Sequence, residues 1–117
     1  MAEICRTLEK HEDKISKALR SLPDDAELVD LASFFDALGD TTRIKIVLAL
    51  LEEELCTCDL SRITELSVSA VSHQLRVLKD RRIVAYRREG KNVFYRIDDE
   101  HVGEIVKTAL THLNERK

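Results

Sequence analysis

Two clusters of residues in this sequence carry chemistry. The first is Asp99, His101, His112 and Glu115 near the C-terminus, carboxylates and imidazoles of the kind that ligate a divalent ion such as zinc. His101 and His112 lie 11 positions apart. On one helix that is a separation of roughly 16 Å along the axis, too far for a single coordination sphere. At about 100° per residue, however, His112 returns to within about 20° of His101, and Glu115 falls on the same side. Two such helices packed antiparallel about a twofold axis would set Asp99 and His101 of one chain beside His112 and Glu115 of the other, making two equivalent four-ligand sites. Asp99 would have to sit at the first turn and reach round. The competing reading is a polar helix face with two exposed histidines.

The second cluster is Cys56-Thr57-Cys58-Asp59, two thiols at the start of a short predicted helix. Thiolates at a helix N-terminus have depressed pKa values and attract soft ions, including zinc, cadmium, lead and trivalent arsenic. Cys5 offers a third sulfur, with Glu9 or His11 nearby in sequence, if the N-terminal helix folds over. The alternative is that these cysteines pack as small apolar side chains. Three cysteines are an odd number, which argues against a disulfide framework.

The elements that must hold these residues follow from periodicity. A peripheral helix is predicted over 5–20. After Leu22-Pro23, Asp24 or Asp25 caps a second helix, which Gly39 ends. Asp40 caps a third, apolar nearly all round from Ile44 to Leu51, and therefore the expected core. A first short helix near 58–65, a turn at Leu66-Ser67 and a second helix over 68–81 make a helix-turn-helix. Ala70, Val71, Leu75 and Leu78 form the inward stripe of that second helix. Ser69, Ser72, His73, Gln74, Arg76 and Lys79 remain outside, with Ser67 at the turn, as candidate DNA contacts. Ile83 to Arg88 and Asn92 to Ile97 flank Glu89-Gly90-Lys91 and predict a two-stranded β-hairpin over 83–97, with Arg87, Arg88 and Lys91 as wing contacts. Asp98 or Asp99 then caps a last helix over 99–115. The fold class is a mainly α winged helix-turn-helix, one domain over 1–117, with 1–22 as an N-terminal arm and dimerisation through the terminal helices.

The composition agrees with this reading. Charged residues make up 35% of the 117, with one proline and three glycines, which favours long amphipathic helices. The net charge of −3 conceals a basic block over 76–91, which carries seven Lys or Arg against two acidic residues. Its balance of +5 leaves −8 elsewhere, and such a block could face phosphate or be an ordinary solvated surface. No apolar run approaches the roughly 20 residues needed to span a bilayer, and the first residues lack a signal-peptide core, so the expected location is cytoplasmic.

Taken together, Glu54 to Leu60, Ser69 to Arg76, the wing Tyr86 to Lys91 and the Asp99-x-His101 with His112-x-x-Glu115 pattern resemble the ArsR/SmtB family of metal-sensing repressors. The resemblance runs from about residue 27 onward. It implies a homodimer that binds an imperfect palindrome in double-stranded operator DNA when metal-free. Zn(II), Cd(II) or Pb(II) would release it, so that efflux or sequestration genes are expressed. It implies further that a ligand at His112 bonds through its second ring nitrogen to the recognition-helix backbone near His73. The Asp99, His101, His112, Glu115 set matches the family's zinc-responsive site without substitution. The Cys5, Cys56, Cys58, Asp59 set resembles the cadmium, lead and zinc sensors but lacks the second N-terminal cysteine common among them. Alternatives are a repressor answering As(III) or Sb(III) through the CxC thiolates, and a winged-helix regulator responding to thiol oxidation. An enzyme is not expected, since there is no HExxH, CxxC or Gly-rich phosphate loop.

Overall fold

The computed structural model describes residues 8–115. The chain divides between Leu31 and Ala32 into two compact units. In the first, α1 (Leu8–Ser21) ends where the Ser21 hydroxyl donates to the Ala18 carbonyl. Pro23 follows, and α2 (Asp25–Leu38) begins with the Asp24 carboxylate accepting the Glu27 amide at 2.9 Å. Ile15, Leu19, Leu28, Val29 and Leu31 are exposed on these helices. Cys5 lies outside the described residues, as do the side chains of Glu9 and His11.

The second unit holds the core and both candidate clusters. Asp40 caps α3 (Thr41–Glu52) by accepting the Arg43 amide, and the helix sinks Ile46, Val47 and Leu50. A short helix α4 (Thr57–Thr64) ends at Glu65, whose φ of 61° turns the chain through the left-handed region. Ser67 then accepts the Ala70 amide at 3.0 Å and starts α5 (Val68–Asp80). Leu60, Val71, Leu75 and Leu78 from the two helices are fully buried with Ile46, Val47 and Ile83. The helix-turn-helix therefore hangs on α3, as the apolar character of that helix requires.

The wing strands are β2 (Val84–Glu89) and β3 (Asn92–Ile97), paired antiparallel from Val84 with Ile97 to Glu89 with Asn92. Gly90 takes the positive φ of 62° that this tight turn demands. The expected two-stranded hairpin is present, and a further strand extends its sheet. A two-residue strand β1 (Leu55–Cys56) pairs with β3, Leu55 opposite Tyr95 and Cys56 opposite Phe94, giving a three-stranded sheet in the order β1-β3-β2. Two residues are too few for an alternating pattern, and the pairing is settled by a strand almost 40 positions away.

The last helix, α6 (Glu100–Asn114), buries Val102, Gly103 and Val106. At Gly103 it passes close to α3: a Cβ there would stand 2.8 Å from Leu51 Cδ2. Among the described residues no helix is long and apolar enough to cross a membrane.

Leu75 locks α5 onto the core and is fully buried. Leu75→Ala is expected to lower unfolding free energy by about 2–5 kcal/mol through lost transfer energy and the cavity left behind. Urea titration at fixed protein concentration measures it. A loss within the ~0.5 kcal/mol typical of surface changes contradicts this packing.

Candidate functional site

The outer face of α5 is built by the same periodicity that buries Val71, Leu75 and Leu78. Ser67, Ser69, Ser72, His73, Arg76 and Lys79 are exposed, and Ser67 also serves as the helix N-cap. Gln74 differs from the rest. It is half-buried at the edge of the apolar stripe, and its Oε1 accepts from Arg43 Nη1 at 3.0 Å.

The basic residues of the wing are organised by contacts that no local pattern announces. Arg87 donates to Glu54 from Nε at 3.0 Å and from Nη2 at 2.6 Å, and to Glu89 from Nη1 at 2.9 Å. Its guanidinium also lies 4.8 Å from the centre of the Phe94 ring. The hydrogen bonds from Arg87, helped by the nearby charge of Arg96, hold the Glu54 carboxyl below its ordinary range, and Arg87 is raised in turn. Tyr86 carries Lys79 Nζ at 5.1 Å and the Arg88 guanidinium at 6.0 Å from its ring centre. One aromatic side chain thus brings a cation from the end of α5 next to one from β2. Lys91 sits exposed at the tip of the hairpin. Lys79, Tyr86 and Arg88 thus share one face of the wing beside the end of α5, whereas Arg87 packs with Phe94 on the opposite face. Glu54 and Tyr86 were not singled out as parts of the site from sequence. Their partners are too distant along the chain, except that a tyrosine beside a basic wing is a weak signal.

The four C-terminal ligand candidates fall into two pairs. Asp99 is the N-cap of α6 with an extended φ of −151°, outside the helix proper. Its Oδ1 accepts the His101 amide at 2.9 Å and stands 3.4 Å from His101 Nδ1. At the far end His112 Nδ1 is 4.0 Å from Glu115 Oε1. All four residues are exposed. Bonds of about 2.0 Å in a tetrahedral zinc site place neighbouring donor atoms about 3.3 Å apart, a spacing that the Asp99–His101 pair has at 3.4 Å and to which the exposed His112–Glu115 pair, at 4.0 Å, must close. Among the described residues no group of three or more His, Cys, Asp or Glu converges within the chain. Each end of α6 carries one carboxylate–imidazole pair. Between them the helix exposes Ile105, Leu110 and Leu113, the last 66% accessible. These side chains edge an apolar groove with Phe35, Leu38 and Leu48.

At the other cluster, Cys56 closes β1 as the N-cap of α4, half-buried, while Cys58 is exposed one residue into the helix. The thiols lie at the start of the short helix, as the sequence predicts, and straddle its junction with β1. Asp59 accepts the Cys56 amide at 3.1 Å, and this hydrogen bond lowers its carboxyl.

Comparison with known proteins agrees with this architecture. Residues 40–86 match the model of the bacterial regulatory protein arsR family. A cadmium resistance transcriptional regulatory protein CadC homolog from Staphylococcus aureus is 45% identical over 114 residues, 97% of this chain and 93% of that protein. A transcriptional repressor SmtB homolog from Synechocystis sp. is 47% identical over 85 residues, 73% of this chain and 64% of its own length. Among solved structures, a homodimeric winged helix-turn-helix DNA-binding domain from Mycobacterium bovis, a possible ArsR-family regulator, superposes with a TM-score of 0.75 at 26% identity, covering 82% of this chain and 92% of that one. Such proteins are transcription regulators, not enzymes. With a helix-turn-helix, a wing and nearly full-length similarity to the staphylococcal protein, this chain belongs to the ArsR family of winged helix-turn-helix transcriptional regulators.

Proposed function

We propose that the chain is a homodimeric repressor that binds an imperfectly palindromic operator when metal-free and is released by Zn(II), Cd(II) or Pb(II), so that genes for metal efflux or sequestration are expressed. The observation that carries this reading is the division of four zinc-type ligands into two carboxylate–imidazole pairs at opposite ends of α6, with exposed apolar residues along the helix. A lone chain gains nothing from either pair. A second copy packed antiparallel along α6 covers Ile105, which lies on the same stripe as the ligands, and completes two spheres, each with Asp99 and His101 from one chain and His112 and Glu115 from the other.

On the operator, α5 enters the major groove with Ser69, Ser72, His73, Gln74 and Arg76 toward the bases, and Ser67 and Lys79 toward the backbone. The wing brings Arg87, Arg88 and Lys91 to the phosphates alongside. Metal stabilises one dimer shape, and release follows because that shape fits the operator less well. A coupling of about 1–3 kcal/mol changes affinity roughly 5- to 150-fold. The Cys56 and Cys58 thiolates, with Asp59 and Cys5 as further donors, are a second site suited to the softer ions Cd(II) and Pb(II). The similarity to a cadmium-resistance regulator supports this second site.

Fluorescence anisotropy with operator DNA from upstream of the gene tests the switch. Zinc should release the reduced parent chain and leave His112→Ala bound, while Cys56→Ser/Cys58→Ser still releases. If His112→Ala releases as the parent does, control resides elsewhere. A parent that stays bound under zinc, cadmium and lead alike contradicts the metal switch.

The wing has its own test in the salt dependence of binding. Each phosphate contact contributes about 0.9 to the slope of log K against log salt concentration. Arg87→Ala should reduce the slope by about 1, and Glu54→Gln should raise operator affinity at low salt by releasing Arg87 from a competing carboxylate. An unchanged slope for Arg87→Ala removes that residue from the interface.

A further inference from the structure

Arg43 has an unusual set of partners for a half-buried cation: all three of its side-chain hydrogen bonds go to neutral oxygens. Its amide is occupied in the cap of α3, and its side chain runs back toward the end of α2. There Nε donates to the Ala37 carbonyl at 2.6 Å and Nη2 to the Asp36 carbonyl at 3.4 Å. The negative end of the α2 dipole and the carbonyls of its last turn, of which that of Asp36 also accepts the Gly39 amide, suit a guanidinium. The planar group is thereby fixed from two sides, and its third edge, Nη1, meets Gln74 Oε1 at 3.0 Å.

A guanidinium only donates, so the atom of the Gln74 amide that faces it must be the oxygen. This settles the orientation of an amide that could otherwise flip. Among the described residues no side-chain nitrogen or oxygen is buried without a partner, and Gln74 Nε2 makes no hydrogen bond to any of them, so its N–H groups face solvent. They do so beside exposed His73 on the helix that reads DNA. A free glutamine pairs with adenine by accepting and donating at once. Gln74 has its acceptor engaged and offers donors.

We propose that Arg43 is a positioning residue for operator recognition, holding the Gln74 carbonyl inward so that the amide N–H groups donate to an acceptor on the DNA, either a purine or thymine acceptor in the groove or a phosphate oxygen. This rests on α5 being the recognition helix. Arg43 touches no DNA in this scheme. It acts through Gln74, and its anchor is the end of α2.

A mutant cycle tests the coupling, using the full-length, reduced, metal-free protein and a randomised duplex library followed by affinity measurement on the selected consensus. Gln74→Met and Arg43→Met should each weaken binding about fivefold, the scale of one hydrogen bond. The double variant should be no weaker than either single one, because the two residues make one contact. If the selected bases change at one position of each half-site in both single variants, the acceptor is a base. If affinity falls with the selected bases unchanged, the acceptor is a phosphate. Should Arg43→Met fail to fold by thermal melting, Gln74→Glu keeps the bond to Arg43 but removes the N–H donors, and it should lose affinity as Gln74→Met does. The proposal is overturned if the double variant loses the product of the single effects, or if Gln74→Met or Gln74→Glu binds as the parent does. A parent that selects no consensus overturns the placement of α5 in the groove, and the proposal with it.

Discussion

An α-helix advances about 1.5 Å per residue, and this fixed rise governs what the C-terminal helix can do. Asp99 and His101 at one end and His112 and Glu115 at the other are each paired within 4.0 Å, but the helix between them keeps the pairs apart. No rotamer change within one chain bridges that gap. The rest of the architecture is consistent with a second copy supplying the missing half: α6 buries Val102 and Val106 against its own core while Ile105, Leu110 and Leu113 stay exposed. A metal bound across two chains would be a constraint on how the two chains sit. That is the quantity an operator with two half-sites reads, since half-site spacing mirrors the geometry of the protein dimer.

The same helix is tied to the reading head through a short route. Gly103 lets α6 approach Leu51 of α3 closely, and α3 packs Ile46, Val47 and Leu50 into the core that holds α5. Arg43 at the start of α3 reaches Gln74 on α5. In the proposed dimer, a shift of α6 against a second copy would therefore be applied to a helix that packs with α5 and hydrogen-bonds to it. On the other flank, β1 runs directly into Cys56 and pairs with wing strand β3, while Glu54 just before it holds Arg87 of β2. Ligands drawn together around Cys56 and Cys58 act on a junction that leads into the wing. In the proposed function the two metal clusters would thus act on different elements, the C-terminal one through α3 on α5 and the thiolate one through β1 on the wing.

Much of this was legible in the sequence because it is local. Caps at Asp40 and Ser67, the stripe of Val71, Leu75 and Leu78, and the glycine turn at Gly90 depend on residues within a few positions of one another. The separation of the ligand pairs also follows from helix geometry alone. What could not be read depends on distant partners. Strand β1 is two residues long and exists because of Phe94 and Tyr95. Arg87 reads as a free wing cation, but it is bound to Glu54, 33 positions earlier. Gln74 reads as one more outer-face residue, while its acceptor is taken by Arg43, 31 positions away. The CxC pair reads correctly as two thiols at a helix start, but that Cys56 also ends a strand paired with Phe94 depends on a partner 38 positions away.

The most direct test of the account is subunit complementation. Asp99→Ala/His101→Ala and His112→Ala/Glu115→Ala are prepared separately, both with Cys56→Ser and Cys58→Ser so that thiolates do not compete, and zinc affinity is measured against a chromophoric chelator. Each homodimer should bind zinc weakly, and refolding the two together should restore tight binding at one site in about half of the dimers, because a mixed dimer contains one complete sphere and one empty one. A mixture that binds no better than its components would contradict a site shared between chains.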